Sequence, residues 1–151
     1  MKIWVDADSC PIKIRDIISK ASKRLEIESV YVANREIPVR LHPFLSKVIT
    51  SADSQSADRF IVDNIECNDV AITRDIPLAD ELVVKGVVVL NDRGVIYTEE
   101  NIKERLSVRD FMQEARELGL VTESTSRFNA KDIQNFSNAF DKVLRIKINS
   151  K

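Results

Sequence analysis

One histidine and two cysteines are all the imidazole and thiol metal ligands that this 151-residue chain holds. His42, Cys10 and Cys67 stand alone, without the paired spacing that zinc domains use, so that class is excluded. Two lone cysteines also fit a reducing compartment, where thiols stay free. Nor is there an excess of charge of either sign. Lys and Arg number 23 against 24 Asp and Glu, and the pI is about 5.9. No global basic field therefore advertises a nucleic-acid binder, and any attraction for phosphate must come from a local patch or a bound cation. No apolar run nears the ~20 residues that cross a bilayer. The amino terminus meets Asp6 before it has built the apolar stretch of a secretory leader. A cytoplasmic protein with no membrane partner is expected.

What is present is the balance of a soluble globular domain, with 44% apolar and 31% charged residues. The length suits one domain with a substantial core. Lys2 to Asp6 reads as a buried strand, and a helix follows from about Pro11 with the stripe Ile14, Ile17, Ile18, Ala21 and Leu25. Further strands are expected over 29–34, near 47–50, over 69–74 and over 87–90. A small edge strand is expected in "VIYT" after the "NDRG" turn. Helices are expected from about Ala57, and from "DIPLAD" to Gly86. This alternation predicts an α/β fold, a mostly parallel sheet of four to five strands flanked by helices. Beyond residue 99 the pattern is helical. Ser107 to Asp110 resembles a capping box opening a helix over 108–118, whose stripe is Val108, Phe111, Met112, Ala115 and Leu118. Residues 1–121 are expected to form the α/β unit. Residues 122–151 would add a polar connector and a final helix with Ile133, Phe136, Phe140 and Leu144 on one side, packed on the same domain.

Carboxylates recur where strands end. Asp6 and Asp8 close the first strand, Asp75 follows the fourth, Asp80 lies early in the next helix, and Asp58 opens the helix after "SADSQS". In an open parallel sheet, ligands bind beyond the carboxyl ends of the strands, so this topology gathers the acids at one edge. Like charges held close raise each other's pKa unless a cation lies between them. Clustered oxygen donors suit Mg²⁺ or Mn²⁺, one ion or two, and such ions can activate water against a phosphodiester. Helix capping is the plain alternative for Asp58 and Asp75.

The stretches "IWVDADSCP", "VAN" at 32–34, "AD" at 57–58, "AITRDIPLADELVVKG", "NDRG" with "YT", and "RLSVRDFM" closely resemble the bacterial YaiI/YqxD family, over nearly the whole chain. That family carries no assigned activity, and its fold is grouped with the PIN-like domains, many of them metal-dependent ribonucleases. The resemblance implies Asp6, Asp58 and Asp75 as the catalytic acids. Asp80 would be a further ligand or a group that orients the ligands, and Asp8 belongs to the narrower family. It also implies an RNA substrate. Relatives read "DADACP" where Ser9 stands here, a change expected to matter little, and often carry an acid where Gln55 stands.

Two rival functions fit parts of the pattern. "VDADSC" also looks like the opening of haloacid-dehalogenase-type phosphatases, in which the first Asp attacks phosphorus. Against it, Cys10 stands where Thr or Val is expected, and no lysine occurs between Lys47 and Lys85. A non-catalytic RNA-binding module would use the same cations. Arg35 and Arg93 follow sheet-end turns and, with Asn34 and Arg74, are the expected nucleic-acid contacts. Cys10 reads as a buried small residue, Trp4 as core, and His42 has no visible role. A homodimer stays open, and no dedicated protein partner is evident.

Overall fold

A computed structural model describes residues 1–53, 55–120 and 128–150. Among the described residues, five α-helices surround one sheet. In chain order the elements are β1 (Ile3–Asp6), α1 (Ile12–Leu25), β2 (Ser29–Ala33), β3 (Leu45–Ile49), α2 (Ser56–Asn64) and β4 (Val70–Ile72). They continue with α3 (Ile76–Val84), β5 (Val88–Leu90), β6 (Ile96–Tyr97), α4 (Glu99–Glu117) and α5 (Ala130–Asn149). The strand order is β3-β2-β1-β4-β5-β6. All neighbours are parallel except β5 and β6. The mostly parallel α/β fold is thus as expected, with six strands instead of four or five. The two-residue β6 exists because Asn91 folds the chain back. Its side-chain oxygen accepts from the amides of Arg93 and Val95, both at 2.9 Å.

Alternation along the strands splits the core into two layers. Ile3 and Val5 of β1, Tyr31 of β2 and Ile72 of β4 pack under α1 and α5. Trp4, Val30, Val32 and Ala71 face α2, α3 and the start of α4. The last helix docks as its stripe predicts. Phe136, Phe140 and Leu144 are buried, and the two rings stack at 5.3 Å. Gly94 lets the β5–β6 turn approach that helix closely. Its φ is +85°, and a Cβ there would lie 2.4 Å from the Asn135 carbonyl oxygen. On the other face, Asp69 is a buried acceptor for the Lys2 amide (2.8 Å), the Glu66 amide (3.0 Å) and the Trp4 indole (3.0 Å). That triple bond set fastens the entry of β4 beside β1.

The helix expected over 108–118 begins at Glu99 instead. Thr98 caps it and Asn101 closes the capping box, so Ser107 lies inside the helix and caps nothing. Its expected apolar stripe is also largely uncovered. Ile102 is fully buried against α3, but Val108, Phe111 and Leu118 are 56%, 68% and 67% exposed. The spacing correctly marks one face of a helix and says nothing about what covers it. His42, left without a role, fixes the turn before β3. Its Nδ1 accepts from the Phe44 amide at 3.1 Å. The polar connector expected after residue 121 lies mostly outside the described residues.

Candidate functional site

The strand order reverses between β1 and β4, because β1 leads outward to β2 and β3 while β4 leads the other way to β5. Loops diverge at such a switch point and leave a crevice beyond the strand ends. Here the crevice is an open cleft of about 470 Å³ lined by Asp6, Asp8, Ser9, Asn34, Ala57, Asp58, Arg74 and Asp75. The acids reach it on separate elements. Asp6 ends β1, Asp8 rides on the one-turn 3-10 helix that follows, Asp58 sits in the first turn of α2, and Asp75 caps α3.

Asp6 is the most buried of them, 5% exposed. One of its oxygens, Oδ2, accepts from the Thr73 hydroxyl at 2.8 Å and the Ser9 hydroxyl at 3.2 Å. Burial pushes its carboxyl pKa up, those two bonds pull it down, and the charges of Asp75 and Asp8 push it up again. The Thr73 hydroxyl also accepts from the Asp75 amide at 3.0 Å, so one side chain sets both acids. Asp75 caps α3 through Oδ1, which accepts from the Leu78 amide at 3.0 Å. Capping and cleft lining are therefore combined in one carboxylate.

Asp58 carries the largest perturbation. Burial first, then the charges of Asp75 and Asp6, raise its pKa from 3.8 to about 7, and it stands within hydrogen-bonding reach of Asp75. Near neutral pH this corner of the cleft holds a proton that an ordinary aspartate would have lost. Such a pair wants either that proton or a cation.

The remaining expected residues divide. Asp8 points into the cleft but is heavily satisfied. Its Oδ2 accepts from the Asn34 amide at 2.8 Å, and its Oδ1 lies 3.6 Å from the Arg35 guanidinium. It fastens the ends of β1 and β2 together, with Asn34 and Arg35 as its anchors. Arg74 lines the cleft and is held from behind by buried Asp92 at 3.7 Å. Asp80 is not among the cleft-lining residues. Its Oδ1 faces Lys103 of α4 at 3.1 Å. Arg93 turns toward α5, where it lies 3.7 Å from Asp132 and 5.9 Å from the ring centre of Phe128. Helical position alone could not tell which neighbour each of these would meet.

Three contributors escaped the sequence. Thr73 carries a readable signal, a hydroxyl two residues before Asp75 in the pattern that bonds the i+2 amide. Ser9, expected to matter little, donates to Asp6. Asp92, inside the turn after β5, orients Arg74 from the neighbouring strand end and had no local signal. Cys10 is buried as expected, and burial pushes its thiol pKa up to about 12. Such a thiol is no nucleophile at neutral pH.

Among the described residues, no three of His, Cys, Asp or Glu form a metal cage of their own. The donor set still fits one kind of ion. Carboxylates without a soft ligand suit a hard cation. Mg²⁺ in particular keeps most of its water and takes one or two carboxylates directly. The Asp58–Asp75 pair, with Asp6 behind it, matches that requirement. Among the described residues, no helix is long and apolar enough to cross a membrane.

Residues 4–146 match the family described as "Uncharacterized BCR, YaiI/YqxD family". A "UPF0178 protein" of Treponema denticola is 52% identical over 95% of this chain and 92% of its own length. One of Myxococcus xanthus is 49% identical over 95% and 94%, and one of Treponema pallidum 45% identical over 97% and 85%. No solved structure gives a significant match.

Proposed function

From an acidic cleft at the sheet's switch point in a chain that belongs to the YaiI/YqxD family, we propose a divalent-metal-dependent phosphodiester hydrolase acting on RNA. One observation carries this reading. Three carboxylates from distant segments meet in an open cleft, where burial first and the charges of Asp75 and Asp6 next raise the pKa of Asp58. Selection for stability alone would remove such repulsion, whereas a site for a cation or a titrating acid needs it. The resemblance to PIN-like domains points the same way.

In this reading Asp58 and Asp75 hold Mg²⁺ or Mn²⁺, and Asp6 supplies a fixed charge beside them. A divalent ion bound there supplies Lewis acidity and counter-charge at a phosphoryl oxygen. The chain's own groups do the rest. Thr73 and Ser9 keep the Asp6 carboxylate from rotating. Arg74 presents a forked donor to a phosphate at the cleft mouth, with Asp92 holding the guanidinium's far side. Asp58, whose carboxyl keeps its proton toward neutral pH in the metal-free cleft, would release that proton as the ion binds. Asp8 stays with Asn34 and Arg35 and shapes the cleft wall.

The test incubates the purified protein with labelled single-stranded RNA, in EDTA and in Mn²⁺, beside Asp58→Asn and Asp75→Asn. Calorimetric Mn²⁺ titrations run in parallel. Cleavage that needs Mn²⁺ and disappears in both variants supports the reading, as does loss of Mn²⁺ affinity. Equal Mn²⁺ affinity in wild type and the double variant refutes the metal site. RNA binding without cleavage in any metal reduces the protein to a binding module. Turnover of a phosphomonoester with a trappable acyl-phosphate on Asp6 replaces the hydrolase by a phosphatase.

A further inference from the structure

A second concavity of about 410 Å³ opens between the start of α3 and the exposed face of α4, lined by Ile76, Asn101, Glu104, Arg105, Val108 and Arg109. Ile76 directly follows Asp75, so the groove begins where the acidic cleft ends. Residues 101, 105, 108 and 109 share one helical face, three and four apart.

The electrostatics join the two depressions more closely than the chain does. Arg105 stands over the ring of Tyr97 at 5.6 Å. The Tyr97 hydroxyl in turn lies within reach of the charges of Arg105, Asp92 and Arg74. Arg74 lines the cleft, and Arg105 and Arg109 line the groove. Tyr97 thus lies between a cation of the cleft, Arg74, and one of the groove, Arg105. Arg109 pairs with its exposed neighbour Asp110 at 3.6 Å, a surface pair that costs little to exchange. Glu104 lines the groove too, which places a phosphate beside the arginines and away from its carboxylate. The same stretch of α4 carries Val108 and, three residues on, Phe111, which is 68% exposed. Phe111 lies outside the groove, off the face that Arg105 and Arg109 share, so the groove itself sets two guanidinium groups beside the aliphatic side chains of Ile76 and Val108, cations for phosphates and an apolar surface for a base.

We propose that this groove holds the flanking nucleotides of a single-stranded polynucleotide whose reactive phosphodiester lies in the acidic cleft. Arg105 and Arg109 take consecutive phosphates, and a base lies against Ile76 and Val108. The inference rests on the phosphodiester reading of the cleft and assigns it a substrate longer than the cleft alone would need.

The experiment uses the full chain and measures anisotropy of a labelled RNA strand of about a dozen nucleotides, in EDTA, over a salt series. Each lost phosphate contact to a single strand removes about 0.7 from the slope of log affinity on log salt. Arg105→Gln/Arg109→Gln should therefore flatten the slope by about 1.4 and weaken binding roughly tenfold. Val108→Ser should weaken binding severalfold and leave the slope unchanged, since apolar packing of a base releases no counterions. Hydrolysis of a dinucleotide in Mn²⁺ should be untouched by all three changes. Should the loss of the Tyr97 contact unfold the double variant, Arg109→Gln alone should flatten the slope by about 0.7. Variants that bind like a wild type that still cleaves overturn the groove and leave the cleft standing. A wild type that neither binds nor cleaves overturns both.

Discussion

Replacing Asp58 by asparagine should make the protein more stable, and only above acidic pH. The folded chain holds the Asp58 proton up to about pH 7, whereas the unfolded chain releases it near 3.8. Between those values the unfolded state binds fewer protons, so stability falls as pH rises, by about 1.4 kcal/mol for each pH unit. The full window would cost about 4 kcal/mol. Asp58 is only partly buried, and water screens its repulsion, so about half of that, ~2 kcal/mol, is the reasonable expectation. Asparagine keeps the shape, carries no charge and escapes the loss. For a chain of this size ~2 kcal/mol corresponds to about 4–8 °C in Tm. Thermal melts by circular dichroism in EDTA should show Asp58→Asn melting above wild type by that margin at pH 8, with the gap closing toward pH 4. Saturating Mn²⁺ should narrow the gap at pH 8 by raising the wild type alone, since a ligand stabilises the state it binds. A variant no more stable than wild type at pH 8, or a gap that ignores pH, would refute the account of the cleft as a site of stored repulsion.

Three other outcomes follow from the packing. Asp69→Ala strands two amides and the Trp4 indole N–H, and should cost about 2–3 kcal/mol in urea unfolding with a shift in Trp4 fluorescence, the chain's single tryptophan. An unchanged emission spectrum and midpoint would show that the buried acceptor is dispensable. Gly94→Ala combines a positive φ with a backbone collision against α5, so it should lose at least ~2 kcal/mol by the same assay. A neutral result would mean that the turn and α5 are not in contact. Thiol titration of the native protein should find Cys67 reactive and Cys10 silent until denaturant is added, because one is exposed and the other buried. Two fast thiols would contradict the burial of Cys10.

The sequence alone determined the elements whose signal is local. The strand of β1, the stripe of α1 and the Phe136, Phe140 and Leu144 face of α5 are written in side-chain spacing, and spacing is set by backbone geometry within a few residues. It also put Asp6 and Asp75 at strand ends, which is a statement about position along the chain. Tertiary structure alone decided who meets whom. Asp58 owes its perturbation first to burial and then to Asp75 and Asp6, far away in sequence. Asp80 went to Lys103 and Arg93 to Asp132 because helices α4 and α5 happen to stand there. The stripe on α4 looked like core and is mostly open to water. A repeat of three and four fixes which residues share a face, while the energy of that face depends on what lies across from it. Charges behave likewise, since their interaction depends on distance through space and on the water excluded between them.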